Sequence, residues 1–209
     1  MMASQRRNRD RRPARRSAAR NPKRRLLVVC EGKRTEPDYI RGYERHVRNT
    51  TVKIQIPDDR GEPKKVVEIA KEMKRTAEAE AKRQGDSYLD FDEVWCVFDR
   101  DDHDRFYDAC TMARDNGFEL AVSNPCVELW LLLHFRESPG PQHRDDLSRM
   151  LRRYLPGYDK RIDFDEVVDG VKNAANRARR LDADASEMGE SGRNPTTGFY
   201  RLTDSISME

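Results

Sequence analysis

Short apolar segments alternate with amphipathic segments between residues 24 and 136, and this alternation limits the folds open to the chain. The apolar segments are rich in branched and aromatic residues, which predicts strands at 24–30, 51–57, 93–99 and 118–124. The segments that follow them carry apolar residues at helical spacing, which predicts helices at 35–47, 64–85, 104–117 and 125–135. This order predicts an α/β domain with a mainly parallel four-stranded sheet and helices on both faces.

The patterns at the two ends divide the chain into three predicted parts. Residues 1–23 are predicted to be a disordered basic arm, 24–136 the α/β domain and 137–209 a C-terminal helical extension. Within the extension the pattern predicts helices at 146–155, 164–181 and 194–206, with a polar, mobile stretch at 182–194. Asn124 is a typical N-cap and Pro125 a typical first helical residue, so the fourth helix is predicted to begin at 125.

The net charge of +3 conceals opposite charges in two parts of the chain. Residues 1–25 contain eleven Lys or Arg and one acid, whereas the rest of the chain contains 30 basic and 37 acidic residues. Such arms bind phosphate backbones without reading sequence, which predicts nucleic acid as a partner. A solvated tail without a specific partner explains the same charges. The arginines predicted to bind nucleic acid are Arg6, Arg7, Arg11, Arg12, Arg15, Arg16 and Arg34.

Hydropathy and cysteine usage limit the compartment. No run of about 18 apolar residues exists and no secretory signal is recognisable, so no membrane partner is expected. The four cysteines show no CxxC pairing and are expected to be reduced and buried, as in a cytoplasmic protein. They are Cys30, Cys96, Cys110 and Cys126.

Acidic residues follow two of the predicted strands. Glu31 comes directly after the first strand, and Asp99 and Asp101 close the third. If these strands are neighbours, the carboxylates meet at the carboxyl edge of the sheet, where parallel α/β sheets bind ligands. Two carboxylates about 4 Å apart repel by about 4 kcal/mol at an effective dielectric near 20. The pattern therefore predicts a hard cation, Mg²⁺ or Mn²⁺, with Glu128 as a further ligand.

The basic residues beside these acids suit phosphate chemistry. Gly32 allows close approach of the backbone to a phosphate, and Lys33 follows it. Lys33 and Arg100 are candidate catalytic residues because a cation can stabilise the negative charge that develops in phosphodiester cleavage. Glu128 lies in an otherwise apolar helix and needs a partner, for which the metal site and the loop of Lys33 are the candidates.

Three motifs in the same order closely resemble the RloB family: LLVVCEGKRTEPDYI, VWCVFDRDDH and AVSNPCVELWLLLHF. NPTTGFYRL is similar to its C-terminal signature, so the resemblance covers about residues 24–202. It implies a Toprim-like fold, with Glu31 as a general acid or base and Asp99 and Asp101 as the metal-binding pair. It also implies a metal-dependent nuclease that acts in abortive infection or restriction-modification defence, with a possible partner protein from the same defence system.

These motifs also suggest other kinds of site. A P-loop is excluded because Leu27 and Arg34 stand where the motif requires Gly and Ser or Thr. FDRDD is also compatible with an aspartyl-phosphate phosphatase motif, which such enzymes usually place on their first strand. His103 is either a metal ligand, a proton shuttle or a solvent-facing loop residue.

The sequence also supports interpretations of two further residues, and it leaves two classes of function for the whole chain. Cys126 lies near a helix N-terminus, a position that can lower the pKa of a thiol, although no nucleophilic set surrounds it. His134 is predicted to be a packed helix residue. For the whole chain, a metal-dependent nuclease and a non-catalytic module that binds nucleic acid or an effector remain the two candidate functions. The oligomeric state is not predicted.

Overall fold

The computed structural model describes residues 23–100 and 105–208. Its main strands are β1 (Arg24–Cys30), β2 (Val52–Gln55), β3 (Glu93–Asp99) and β4 (Glu119–Asn124). The helices are α1 (Thr35–Val47), α2 (Pro63–Gln84), α3 (Phe106–Asp115), α4 (Glu128–Leu132), α5 (Arg144–Leu151), α6 (Val171–Glu187) and α7 (Phe199–Ser207). Short 3₁₀ turns lie at Ser87–Leu89, Phe164–Glu166 and Val168–Gly170.

The predicted α/β architecture is confirmed, with one strand more than expected. The sheet order is β2-β1-β3-β4-β5, and the four long strands are parallel. The fifth strand, β5 (Thr196–Thr197), pairs antiparallel with the end of β4. It lies where the sequence predicted the start of the last helix.

Alternating residues of the central strands face two apolar layers. In β1, Leu26, Val28 and Cys30 face a layer that includes residues of α1, α4 and α7. Leu27 and Val29 face the opposite layer, which includes residues of α2 and α3. Helices therefore cover both faces of the sheet. The parallel pairing of β1 with β3 places the carboxyl ends of these two strands side by side. All four cysteines are free and buried, as predicted.

The predicted start of the fourth helix is wrong. The N-cap position of α4 is Val127, and the helix begins at Glu128. The Asn124 side chain instead donates to the Gly192 carbonyl at 2.8 Å, because the chain segment before β5 crosses the end of β4. The side chain is therefore used for a tertiary contact and does not cap the helix.

The helix predicted at 164–181 is also interrupted. Two 3₁₀ turns precede α6, which begins at Val171 and continues to Glu187, into the stretch predicted to be mobile. Gly170 lies against His134, where an added Cβ would be 2.6 Å from the His134 carbonyl oxygen. Gly170 ends the second 3₁₀ turn and is the N-cap of α6, so this close approach lies at the point where the two elements meet.

The C-terminal region packs on the same apolar layer as α1 and α4. Phe199 stacks on Trp130 with ring centroids 5.4 Å apart and meets Tyr39 edge-on at 5.4 Å. His134 is buried in this layer, as predicted, with Nε2 3.0 Å from the Tyr39 hydroxyl. The boundary at 136 stays a prediction. Within the described residues, no helix has the length and apolar character needed to cross a membrane.

Candidate active site at the carboxyl ends of β1 and β3

The ends of β1 and β3 are joined through Glu31. Its backbone N–H donates to the Val97 carbonyl at 2.9 Å, which continues the parallel pairing of the two strands. Its side chain then turns back, and Oε2 accepts a hydrogen bond from the Asp99 backbone N–H at 3.0 Å. The structure thus brings together Glu31 and Asp99, the acids that the sequence placed after these strands.

Asp99 is held by groups from two other parts of the chain. Its Oδ1 accepts a hydrogen bond from the Val127 backbone N–H at 2.9 Å, and Oδ2 lies 3.4 Å from an Arg144 guanidinium nitrogen. Burial raises the pKa of the Asp99 carboxyl well above its usual value, and three neighbouring glutamates raise it further. These glutamates are Glu36, Glu128 and Glu31.

Glu36 is a member of this group that the sequence analysis missed. It lies in the first turn of α1, is 5% exposed and accepts a hydrogen bond from the Gly32 backbone N–H at 3.1 Å. Burial raises the pKa of its carboxyl, and the charge of Glu128 acts in the same direction. Acids are common in the first turn of any helix, so the sequence alone did not distinguish this one.

Gly32→Ala is expected to displace Glu36. An added Cβ would overlap the Glu36 carboxylate, so the side chain would have to leave the Gly32 N–H. We expect a loss of about 1–2 kcal/mol in the free energy of unfolding, since a buried acceptor loses its donor. Denaturant unfolding measures the change. Gly157→Ala is the control, because no atom lies within 4 Å of its added Cβ, and equal losses in both variants would contradict the prediction.

Glu128 finds its partners in the C-terminal region. Its side chain is 1% exposed and accepts hydrogen bonds from the Tyr158 hydroxyl at 2.9 Å and from the Lys160 ammonium. Burial acts to raise the pKa of Glu128, but the hydrogen bonds and charge of Lys160 outweigh it and lower the pKa. The observed protein partners are therefore Lys160 and Tyr158, and not the loop of Lys33.

Lys160→Met is expected to destabilise the protein at neutral pH by about 1–2 kcal/mol. This loss is at the low end of the range for removing the charged partner of a buried group, because Lys160 is partly hydrated. The lowered pKa of Glu128 means that its ionisation stabilises the fold above its unfolded-state pKa. This contribution disappears as the pH falls through the folded-state pKa. Unfolding free energies of wild type and variant should therefore converge in acid. Lys71→Met, an exposed lysine on α2, is the control, and a pH-independent difference for Lys160→Met would contradict the assignment.

An open cleft of about 400 Å³, which we call the carboxylate cleft, lies at the carboxyl ends of β1 and β3, and Glu128 is not among the described residues that line it. Its lining includes the acids Glu31, Glu36 and Asp99 and the cations Lys33, Arg34, Arg144 and Lys160. Lys33 and Arg34 are exposed at its rim, whereas the acids lie deeper. Arg144 and Lys160 were missed by the sequence analysis. They come from the C-terminal region, and no local pattern linked them to the strand ends.

Arg100 does not join the cleft. Arg100 directly follows β3, and its backbone N–H continues the pairing with β4 by donating to the Ser123 carbonyl at 2.8 Å, so the alternation of side chains places it opposite to Asp99. Its guanidinium donates to the Gly192 carbonyl at 2.7 Å and to the Tyr107 hydroxyl at 2.8 Å. Cys126 is buried and its thiol pKa is raised, mainly by burial, so the environment opposes a reactive thiolate there.

Several predicted residues lie outside the described part of the chain. These are Asp101 and His103, together with the arm arginines Arg6, Arg7, Arg11, Arg12, Arg15 and Arg16. Among the residues that are described, no group of three or more His, Cys, Asp or Glu has a metal-binding arrangement. The donor chemistry of Glu31, Glu36 and Asp99 is nevertheless that preferred by Mg²⁺ and Mn²⁺, and a bound cation would offset the like charges that raise the Asp99 pKa.

Comparison with known proteins gave a single result. A family model described as RloB-like protein matches residues 26–206, which is most of the chain. No curated protein and no solved structure matched the chain.

Proposed function

The chain belongs to the RloB-like protein family, and on this basis we propose that it is a Mg²⁺- or Mn²⁺-dependent nuclease of the Toprim type that cleaves nucleic-acid phosphodiesters in anti-phage defence. The observation that supports this most is the gathering of Glu31, Glu36 and Asp99 in one cleft beyond the ends of β1 and β3. Ligands of parallel α/β sheets bind at this edge. The defence role rests on the family resemblance of the motifs.

The residues of the cleft have distinct proposed roles. Asp99 and Glu31 would hold the cation, with Asp101, which lies outside the described residues, as the ligand that the motif resemblance adds. Glu36 supplies a further carboxylate to the cleft. A bound Mg²⁺ or Mn²⁺ supplies Lewis acidity toward the phosphate and lowers the pKa of a coordinated water. Glu31 assists proton transfer from the attacking water, and Lys33 at the rim pairs with the phosphate. Val127 and Arg144 fix the position of the Asp99 carboxylate through its two oxygens.

A stripe of arginines gives a path for the nucleic acid toward this cleft. Arg34 lies at the rim, and Arg41, Arg45 and Arg48 follow on the exposed side of α1 at helical spacing, with Asp38 among them. The last three span about 10 Å at a rise of 1.5 Å per residue. Phosphate backbones are bound by exposed arginines of this kind without regard to sequence.

Simultaneous replacement of Arg41, Arg45 and Arg48 by alanine is expected to weaken nucleic-acid binding and to make the binding constant less dependent on salt concentration. Each lost phosphate contact lowers the slope of log K against log salt by about 0.7 for single strands and 0.9 for duplexes, so the slope should fall by about 2–3. Fluorescence anisotropy of labelled oligonucleotides in chelator measures it. Alanine at Lys65, Lys71 and Lys82 on α2, across the sheet, is the matched control. An equal change in both triple variants would contradict a specific path along α1.

A second candidate function follows from one contact. Arg144 lies 3.4 Å from Asp99 and supplies positive charge where the nuclease proposal requires a metal. This arrangement favours a non-catalytic module that binds nucleic acid or an effector and acts through a partner protein.

One assay separates the two functions. The purified full-length protein is incubated with total tRNA, single-stranded DNA and duplex DNA, with Mg²⁺ or Mn²⁺ and then with chelator. Cleavage of any substrate that requires the metal supports the nuclease. Binding without cleavage across all substrates and both metals supports the module.

A further inference from the structure

A second cavity lies across β3 from the carboxylate cleft. It has a volume of about 320 Å³ and is enclosed by α3, β4 and the segment from Asp182 to Arg201. Its apolar wall includes Phe106, Leu120 and Val122. The volume is at the lower end of the range for small-ligand pockets. We call it the α3 cavity.

An exposed aromatic ring and an ordered arginine lie together at this cavity. Tyr107 is 67% exposed, although apolar residues line the same cavity. The Arg100 guanidinium is held by the Gly192 carbonyl and the Tyr107 hydroxyl, with its central carbon 5.8 Å from the Tyr107 ring and 5.6 Å from the Phe106 ring. Two hydrogen bonds thus order Arg100 next to an exposed ring before any ligand arrives.

The charge of the α3 cavity favours an anion. Arg100, Arg114 and Arg201 line it, and Asp182 is the one acid among the lining residues that the structure describes. Asp182 pairs with Arg201, so among these described residues the positive charges of Arg100 and Arg114 are in excess. Arginine binds phosphate through its planar fork of donors, and an aromatic ring stacks on any nucleobase.

We propose that the α3 cavity binds a nucleotide unit, with the base against Tyr107 and the phosphate between Arg100 and Arg114. The nucleotide is either a free mononucleotide that acts as an effector or one unit of a single strand. In the second case the inference rests on and deepens the proposed function, because Arg100 directly follows Asp99, the last residue of β3, and the nucleic-acid strand would pass both sites. In both cases binding requires no cleavage, so it is tested separately from the nuclease activity.

The test uses the full-length protein in chelator, where metal-dependent cleavage is absent. Calorimetric titration with AMP, GMP, CMP and UMP probes the free nucleotide. Photocrosslinking of an oligonucleotide that contains 5-bromouridine, followed by peptide mapping, probes the strand. Tyr107→Leu removes the ring, Tyr107→Phe keeps it, and Arg114→Gln removes one charge. Tyr88→Leu is the matched control, since Tyr88 is 63% exposed but lies away from the cavity.

Arg114→Gln is expected to weaken mononucleotide binding, or to lower the yield of crosslink at Tyr107, by about 10-fold. Tyr107→Leu is expected to weaken binding of the mononucleotide or of the oligonucleotide, measured by titration, by about 10-fold. Tyr88→Leu should change these values by less than about 3-fold. Tyr107→Phe keeps the ring but loses the hydroxyl that accepts from Arg100, so it should weaken binding less than Tyr107→Leu does. Mononucleotide binding identifies an effector site, and a crosslink at Tyr107 without mononucleotide binding identifies a strand site. The proposal is overturned if no mononucleotide binds and crosslinks avoid Tyr107, or if Tyr107→Leu behaves like Tyr88→Leu. Neither result depends on whether the protein cleaves its substrate.

Discussion

Asp99→Asn is expected to lower metal-dependent cleavage by about 100-fold or more while the protein stays folded. Asp99 is the one described acid that touches both Glu31 and the start of α4, and its pKa is raised by burial and by three glutamates. Asparagine keeps the Oδ1 acceptor for the Val127 N–H but removes the negative charge that would hold the cation. The loss should therefore appear in the rate of cleavage and not in the folding of the site.

Two measurements separate a lost metal ligand from a damaged fold. Glu119→Gln removes an exposed acid at the opposite end of β4 and should leave cleavage unchanged. Mn²⁺ at 100 times its dissociation constant stabilises a folded protein by about 2.7 kcal/mol, so it should raise the wild-type melting temperature by about 5–10 °C. Asp99→Asn should lose that increase. If Asp99→Asn cleaves at the wild-type rate, or if Mn²⁺ stabilises both proteins equally, Asp99 does not bind the metal.

The sequence predicted the parallel core well because its signals there are local. Each long strand is a short run of branched and aromatic residues, and each early helix repeats apolar residues every three or four positions. The two-residue strand β5 carries no such signal. It forms because Thr196 and Thr197 pair with Asn124 and Ser123, more than 70 positions earlier in the chain, and the Ser123 and Thr197 hydroxyls lie 2.8 Å apart.

The residues of the candidate site also divide into those that local sequence signals identify and those that only the tertiary fold brings to the cleft. Glu31 and Asp99 could be found because Glu31 directly follows β1 and Asp99 is the last residue of β3, and parallel strands end at one edge of the sheet. Arg144 and Lys160 could not be found, since they reach the cleft only after the C-terminal region folds back on it. Arg100 was misplaced because the prediction grouped it with its sequence neighbours and did not apply strand alternation.

The C-terminal signature also has a structural explanation. Phe199, within NPTTGFYRL, is fully buried, with its ring against Trp130 and Tyr39. The segment before it supplies β5 and the Gly192 carbonyl that holds both Asn124 and Arg100. The extension therefore helps to order the ends of β3 and β4, where both proposed sites lie.

Phe199→Ala is expected to destabilise the whole protein by about 3–5 kcal/mol and to lower its melting temperature by about 6–20 °C, because it leaves a cavity between two large rings. Met208→Ala is the control, since Met208 is 55% exposed just beyond the same helix. Calorimetry of both variants also tests the predicted boundary at 136. If Phe199 joins the extension to the α/β core, one cooperative transition should shift as a unit. A second transition that moves alone, with the main transition unchanged, would show that residues 137–209 fold independently and would remove the structural link between the signature and the two sites.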